Sequence, residues 1–248
     1  MSERPLTGKT VVVIGASAGI GLASAAHAIR AGATVRIAAR GEERLKRAAE
    51  TLGALAGAPI AHEVLDMRER KAVAGYLARL APIDHLLLPG ATVYRTTYDD
   101  MEEDKARLSL DAKFWGPFWA AYDARPHMAQ ESSITFYSGL ANRRPVPGYV
   151  IGAVIDGAID AVTRSLAHEL APLGIRVNCI SPGIIETAYV ERIPPEVKEE
   201  LFGAYARKAP VGRVGHADDC AQAAMYLMTC GFATGQVLRV DGGIESAP

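Results

Sequence analysis

Thr10-Val11-Val12-Val13-Ile14-Gly15-Ala16-Ser17-Ala18-Gly19-Ile20-Gly21 decides the fold of this chain. A β-branched apolar run favours a buried strand, glycines then break it, and the alanine-rich sequence that follows has helical spacing. The order is strand, phosphate loop, helix. Gly15 supplies a tight turn, Gly19 lets the backbone approach a pyrophosphate, and Gly21 lets the helix start pack on the strand. Unsatisfied N–H groups at that helix start attract an anion. The expected ligand is a dinucleotide lying along Gly15, Ser17, Gly19, Ile20 and Gly21. A glycine triplet also suits any tight turn before a buried helix, so the rest of the chain carries much of the weight.

Downstream, residues 22–31 read as a helix ended by Gly32, and Thr34-Val35-Arg36-Ile37-Ala38-Ala39 as a second buried strand. The alternation continues with helix 42–55, strand 60–65 closing on Asp66, helix 68–79 and strand 83–88. A helix or broken pair follows over 99–128, bent at Pro117. Strand 133–138, a loop rich in Pro, Arg and Gly, a long helix over 150–170 and strand 175–180 come next. Residues 184–212 look like an excursion over one edge, a substrate lid, before helix 217–230 and strand 236–240. This pattern predicts an α/β fold: one domain over 1–248, a doubly wound parallel sheet (Rossmann fold) with helices on both faces. The loops at the carboxyl ends of its strands then border one crevice.

Composition narrows the function. The 248 residues suffice for one substantial core. With 27 basic against 28 acidic residues and no block of either sign, no surface for nucleic acid or an anionic membrane is expected. Cys179, Cys220 and Cys230 are odd in number and lack Cys-x-x-Cys spacing, which argues against a disulfide framework and a zinc site. His127, His168 and the other histidines show no metal spacing. There is no signal-peptide pattern and no apolar run of membrane-spanning length, so the expectation is a soluble cytoplasmic protein acting on a small molecule.

With these motifs placed, the chain resembles the short-chain dehydrogenase/reductase family over nearly its whole length. Gly15 to Gly21 matches the family's cofactor loop, and Asp66 its adenine-side acidic residue. Arg176-Val177-Asn178, then Ser181-Pro182-Gly183 with Ile185 and Thr187, resembles the segment around the nicotinamide. Thr234-Gly235-Gln236 and Asp241-Gly242-Gly243 match the C-terminal signature. The resemblance implies a nicotinamide cofactor and a homodimer or homotetramer. Strand two ends in Ala39-Arg40, where an acidic residue would bind the ribose diol of NAD; arginine instead offers a bidentate partner to a 2′-phosphate, so NADP(H) is expected.

The catalytic pattern departs from the family. The resemblance implies a Tyr hydroxyl activated by a Lys four residues on, one helical turn away. Ungapped alignment from Thr163-Arg164-Ser165-Leu166-Ala167 places those positions on Gly152 and Asp156. None of the nine tyrosines has a lysine four residues later. The Asn position falls on Lys113, the Ser position on Gly139 with Ser138 one residue early, and Leu88-Pro89-Gly90-Ala91 replaces Asn-Asn-Ala-Gly. The resemblance implies that Lys113 and Asp156 face one another, either as a structural ion pair or with Asp156 as a working carboxylate beside the nicotinamide.

Ser138, Tyr149 and Tyr94 are candidate hydroxyl groups. Arg143 and Arg144 are candidates for an anionic substrate group. Tyr189, Leu201, Phe202 and Tyr205 are candidate pocket walls, and Gly90 a candidate cofactor contact. Trp115 and Trp119 read as core. Three functions stay open: an atypical NADP(H)-dependent reductase of an imine, iminium or activated carbonyl; a catalytically silent NADP(H)-binding protein; and an isomerase, cyclase or lyase using Asp156 and Lys113.

Overall fold

The apolar run at the start forms β1 (Thr10–Ile14), buried from Val11 onward, and the chain turns at once into α1 (Gly19–Arg30). In the computed structural model, which describes residues 4–89, 93–187 and 195–247, this unit opens a regular alternation. It continues through β2 (Thr34–Ala39), α2 (Glu42–Ala56), β3 (Ala61–Val64), α3 (Arg70–Ala78) and β4 (Ile83–Leu88). After α4 (Glu103–Leu110), one π-helical turn (Asp111–Trp115) leads into α5 (Gly116–Ala124). Then come β5 (Met128–Tyr137), α6 (Val150–Leu170), β6 (Ile175–Pro182), β7 (Ile185–Glu186), α7 (Pro195–Lys208), β8 (Gly215–His216), α8 (Ala217–Thr229) and β9 (Val237–Val240).

Seven parallel strands form one sheet in the order β3-β2-β1-β4-β5-β6-β9, and β7 pairs with β8 separately. The order reverses between β1 and β4, which opens a crevice at their carboxyl ends. β4 is buried at every position: Ile83 and Leu86–Leu88 pack on both faces, while Asp84 is paired with Lys9 and His85 with Ser133. One core cluster lies under α1, α2 and α8, with Val11, Val13 and Ile37; the other lies under α3, α5 and α6, with Val12, Ile14, Leu86 and Phe136. β1 alternates its side chains between the two. Helices therefore cover both faces.

The irregularity expected over 99–128 is the π turn Asp111–Trp115, which runs without a break in helical dihedrals into Gly116 and Pro117 at the start of α5. β5 begins five residues earlier than its apolar run. Its register against β4 shifts between Ile83 and His85, with Glu131 at φ 59°. Among the described residues no helix is long and apolar enough to cross a membrane.

Candidate active site

The crevice at the switch point is a cleft of about 390 Å³. Ile14, Gly15, Ser17, Gly19, Ile20 and Gly21 line its floor, Arg40, Arg44 and Asp66 one end, and Lys113, Ser138, Pro182 and Thr187 the other. Backbone constraints explain the glycines. Gly15 has φ +112°, and a Cβ there would lie 1.9 Å from the Pro89 carbonyl oxygen; a Cβ on Gly21 would lie 2.3 Å from Gly15 O. At Gly19, φ is +57° and the Thr187 side chain lies about 3.1 Å from where a Cβ would stand. The sequence thus brings β1, β4 and α1 into a contact that side chains would block.

This cradle fits a dinucleotide. Helix α1 starts at Ala18 with no side-chain cap and no acidic residue in its first turn. Its end N–H groups are therefore left for an anion. Arg40 and Arg44 add cationic donors at one end. Arg44 carries no motif signal of its own; its place in the first turn of α2, four residues after Arg40, is the only sequence clue. Asp66 lines the cleft with its carboxylate forked onto Arg68 (2.6 Å from Oδ2 to Nη2) and accepting the Arg68 N–H at 3.0 Å. Those bonds hold its pKa below the usual carboxylate value.

At the opposite end, the π turn presents Lys113. Its ammonium donates to Asp156 Oδ1 at 2.9 Å and to the Ser138 carbonyl oxygen at 3.3 Å. The Asp156 side chain is 3% exposed and that of Lys113 14%, so the carboxylate lies behind the ammonium. Lys113 lines the cleft and Asp156 does not. Asp156 in turn fills the space beside Gly139, where a Cβ would come within 2.6 Å of Oδ2. A similar exchange occurs at Gly152, where a Cβ would lie 2.4 Å from the Tyr149 ring. The Arg95 guanidinium sits over that ring at 4.7 Å. Ser138 Oγ accepts the Cys179 thiol at 3.3 Å, and burial pushes that thiol up to about 12, which keeps it a donor.

Several expected placements are corrected. Arg143 and Arg144 do not reach the cleft: Arg144 donates to Ile244 O and Ala247 O, and Arg143 pairs with Glu245 and Asp160. Tyr205 does not line this cleft; its hydroxyl lies against Gly183 and donates to Asp241 O at 2.8 Å. Tyr94 turns its hydroxyl to Asp100 O. Ile185 is not among these corrections: its side chain is buried in the core, so only its backbone is left to face a cofactor. Trp115 is 43% exposed and stacks on Trp119, so this pair forms a surface run rather than core. Gly90, Tyr189 and residues 188–194 of the excursion lie outside the described residues. Among the described residues no cluster of three His, Cys, Asp or Glu could hold a metal.

A family model described as enoyl-(acyl carrier protein) reductase matches residues 15–245. The short-chain dehydrogenase/reductase ATR9 of Stachybotrys chlorohalonatus is 31% identical, over 96% of this chain and 97% of that protein. Galactitol 2-dehydrogenase (L-tagatose-forming) of Cereibacter sphaeroides is also 31% identical, over 96% and 95%. Among solved structures, a small-chain dehydrogenase in complex with NADPH superposes with a TM-score of 0.82 at 31% identity, covering 96% and 99% of the two chains. The MalC reductase/Diels-Alderase of Malbranchea aurantiaca gives 0.91 at 26% identity, over 98% and 99%. The motifs along the sequence, the strand order and these likenesses agree: the chain belongs to the short-chain dehydrogenase/reductase family.

Proposed function

We propose that this protein is an NADP(H)-dependent reductase of a small or medium organic molecule that works without the family's Tyr and Lys pair, whose positions hold Gly152 and Asp156. Arg40 and Arg44 support the 2′-phosphate preference, and a solved relative bound to NADPH supports the cofactor class. Gly15, Ser17, Gly19, Ile20, Gly21, Asp66, Pro182, Gly183, Ile185 and Thr187 hold the rest of the dinucleotide. The bound cofactor supplies hydride. The domain spans 1–248, with the 184–212 excursion shaping the substrate end.

The observation that carries the chemistry is the state of Lys113. An ammonium has three donors. Asp156 Oδ1 and Ser138 O take two, which leaves one for the cleft that Lys113 lines. That donor polarises a substrate oxygen and gives it a proton, and a proton taken up from bulk solvent through the cleft restores the ammonium. Asp156 fixes the Lys113 head and balances its charge. Ser138 and Tyr149 shape the site beside it. An iminium meets Lys113 before Asp156, and two cations repel. The geometry therefore favours an activated carbonyl over an iminium.

The test is NADPH oxidation with activated aldehydes and 1,2-diketones, beside cyclic imines. Turnover of carbonyls that falls at least 100-fold in Lys113→Met, about 2.7 kcal/mol, with NADPH affinity within twofold, is the expected result. Undiminished turnover in that variant, or turnover of imines alone, removes Lys113 from this role. A second reading, cyclisation or isomerisation beside a bound cofactor, gains support from the relative named as both reductase and Diels-Alderase; it predicts conversion without NADPH consumption. Tight NADPH binding with no conversion of any kind would leave a silent binding protein.

A further inference from the structure

We propose that residues 241–247 form a clasp that holds the β5–α6 loop and helix α7 in one fixed relation, with Arg144 and Tyr205 as its positioning residues. On one side, Arg144 donates to Ile244 O and, at 2.9 Å, to Ala247 O. Arg143 pairs with Glu245 at 3.5 Å and with Asp160 at 3.8 Å, and Asn142 donates to Asp160 Oδ2 at 2.8 Å. The Asp160 side chain is only 4% exposed, and both loop contacts fall on Oδ2, while Oδ1 is buried without a hydrogen-bond partner. Glu245 also pairs with Arg239 on β9.

On the other side, the Tyr205 hydroxyl on α7 donates to Asp241 O at 2.8 Å, and Val211 N donates to Gly242 O at 3.2 Å. Contact is close: Cβ atoms on Gly242 and Gly243 would lie 2.7 Å from Val211 and 2.9 Å from Pro210. The Asp241 carboxylate stiffens the segment between the two sides by accepting the N–H groups of Gly243 and Glu245, both at 2.9 Å. No hydrogen bond or ion pair among the described residues joins 142–144 directly to α7. Arg144 acts on the Tyr205 hydroxyl only through its charge, and the bonded connection between the two segments runs through the clasp. The loop begins after Ser138, and Tyr205 presses on Gly183 beside Pro182; Ser138 and Pro182 are both cleft-lining residues. The Ser138 and Pro182 walls are bonded to each other directly, through Ser138 N to Ile180 O and Ser181 Oγ to Gly139 O, and the clasp holds residues 142–144 and α7 around them.

Amide hydrogen exchange reads such coupling, because it follows local opening segment by segment. The measurement uses the full chain without added cofactor, so it stands apart from the reductase reading. In Arg144→Gln, exchange is expected to accelerate at least fivefold in 195–208 as well as in 142–149, and Arg144→Lys should restore part of the protection. Coupling is reciprocal, so Tyr205→Phe should accelerate exchange in 142–149. If each variant changes only its own side of 241–247, the clasp does not couple the two segments. Should Arg144→Gln fail to fold, Tyr205→Phe, which removes one hydroxyl, decides the question alone.

Discussion

Gly139 and Asp156 are tied by space. A methyl group at 139 would press on Asp156 Oδ2 at 2.6 Å, and that carboxylate is pinned by Lys113. Gly139→Ala is expected to cost about 2 kcal/mol of stability, and much less in an Asp156→Ala background. Denaturant midpoints at unchanged m-value, taken as a double-mutant cycle, measure the difference. His85 is a second residue with a clear signature. It is buried in β4, bonds Ser133 Oγ at 2.8 Å, and burial pushes its pKa down to about 4. The unfolded chain binds the proton more tightly, so the contribution of neutral His85 is complete above pH 6.5 and is lost as pH falls toward 4. Its loss is worth on the order of 3 kcal/mol. Unfolding at pH 7 and 4.5 should show this difference shrinking in His85→Gln.

At the scale of elements, irregular geometry and chemistry coincide. The π turn Asp111–Trp115 interrupts the α4–α5 rod and carries Lys113 to the cleft; such turns recur at functional sites. The uncapped start of α1 and the arginines around the start of α2 supply positive ends on the same crevice. Arg40→Ala and Arg44→Ala are each expected to weaken NADPH binding about tenfold, or 1.4 kcal/mol, with little effect on NADH. Fluorescence titration of both nucleotides checks this. Equal losses for NADPH and NADH would mean that these arginines do not face a 2′-phosphate.

For the whole molecule, the π turn, α5 and α6 leave large apolar side chains exposed. Trp115, Tyr122, Val150 and Val154 are all at least 40% exposed on the π turn, α5 and α6. Together with the family's habit of assembly, this supports a homodimer or homotetramer. Light scattering is expected to return twice or four times the 26.3 kDa chain mass. A monomeric mass at micromolar concentration would refute it.

Strand, loop and helix order and the glycine cradle were legible because they depend on local pattern and spacing; the proposed replacements at Gly152 and Asp156 and the proposed role of Arg40 were read from that spacing alone. Val11 to Gly21 can do little else than form a buried strand, a turn and a helix start. The partners of long side chains were not legible, because they depend on which distant loops share a surface. Arg143 and Arg144 have the chemistry of anion binders, yet folding brings Ile244, Glu245 and Ala247 within reach and uses them there. The depth of Asp156 behind Lys113, the Tyr149 ring beside Gly152 and the place of Arg44 on the cleft likewise followed from packing between elements. By itself the sequence determined the sheet and the cradle, since both follow from backbone preference and apolar periodicity. Tertiary structure alone decided which charged groups face the cleft, since burial and pairing are properties of the assembled chain.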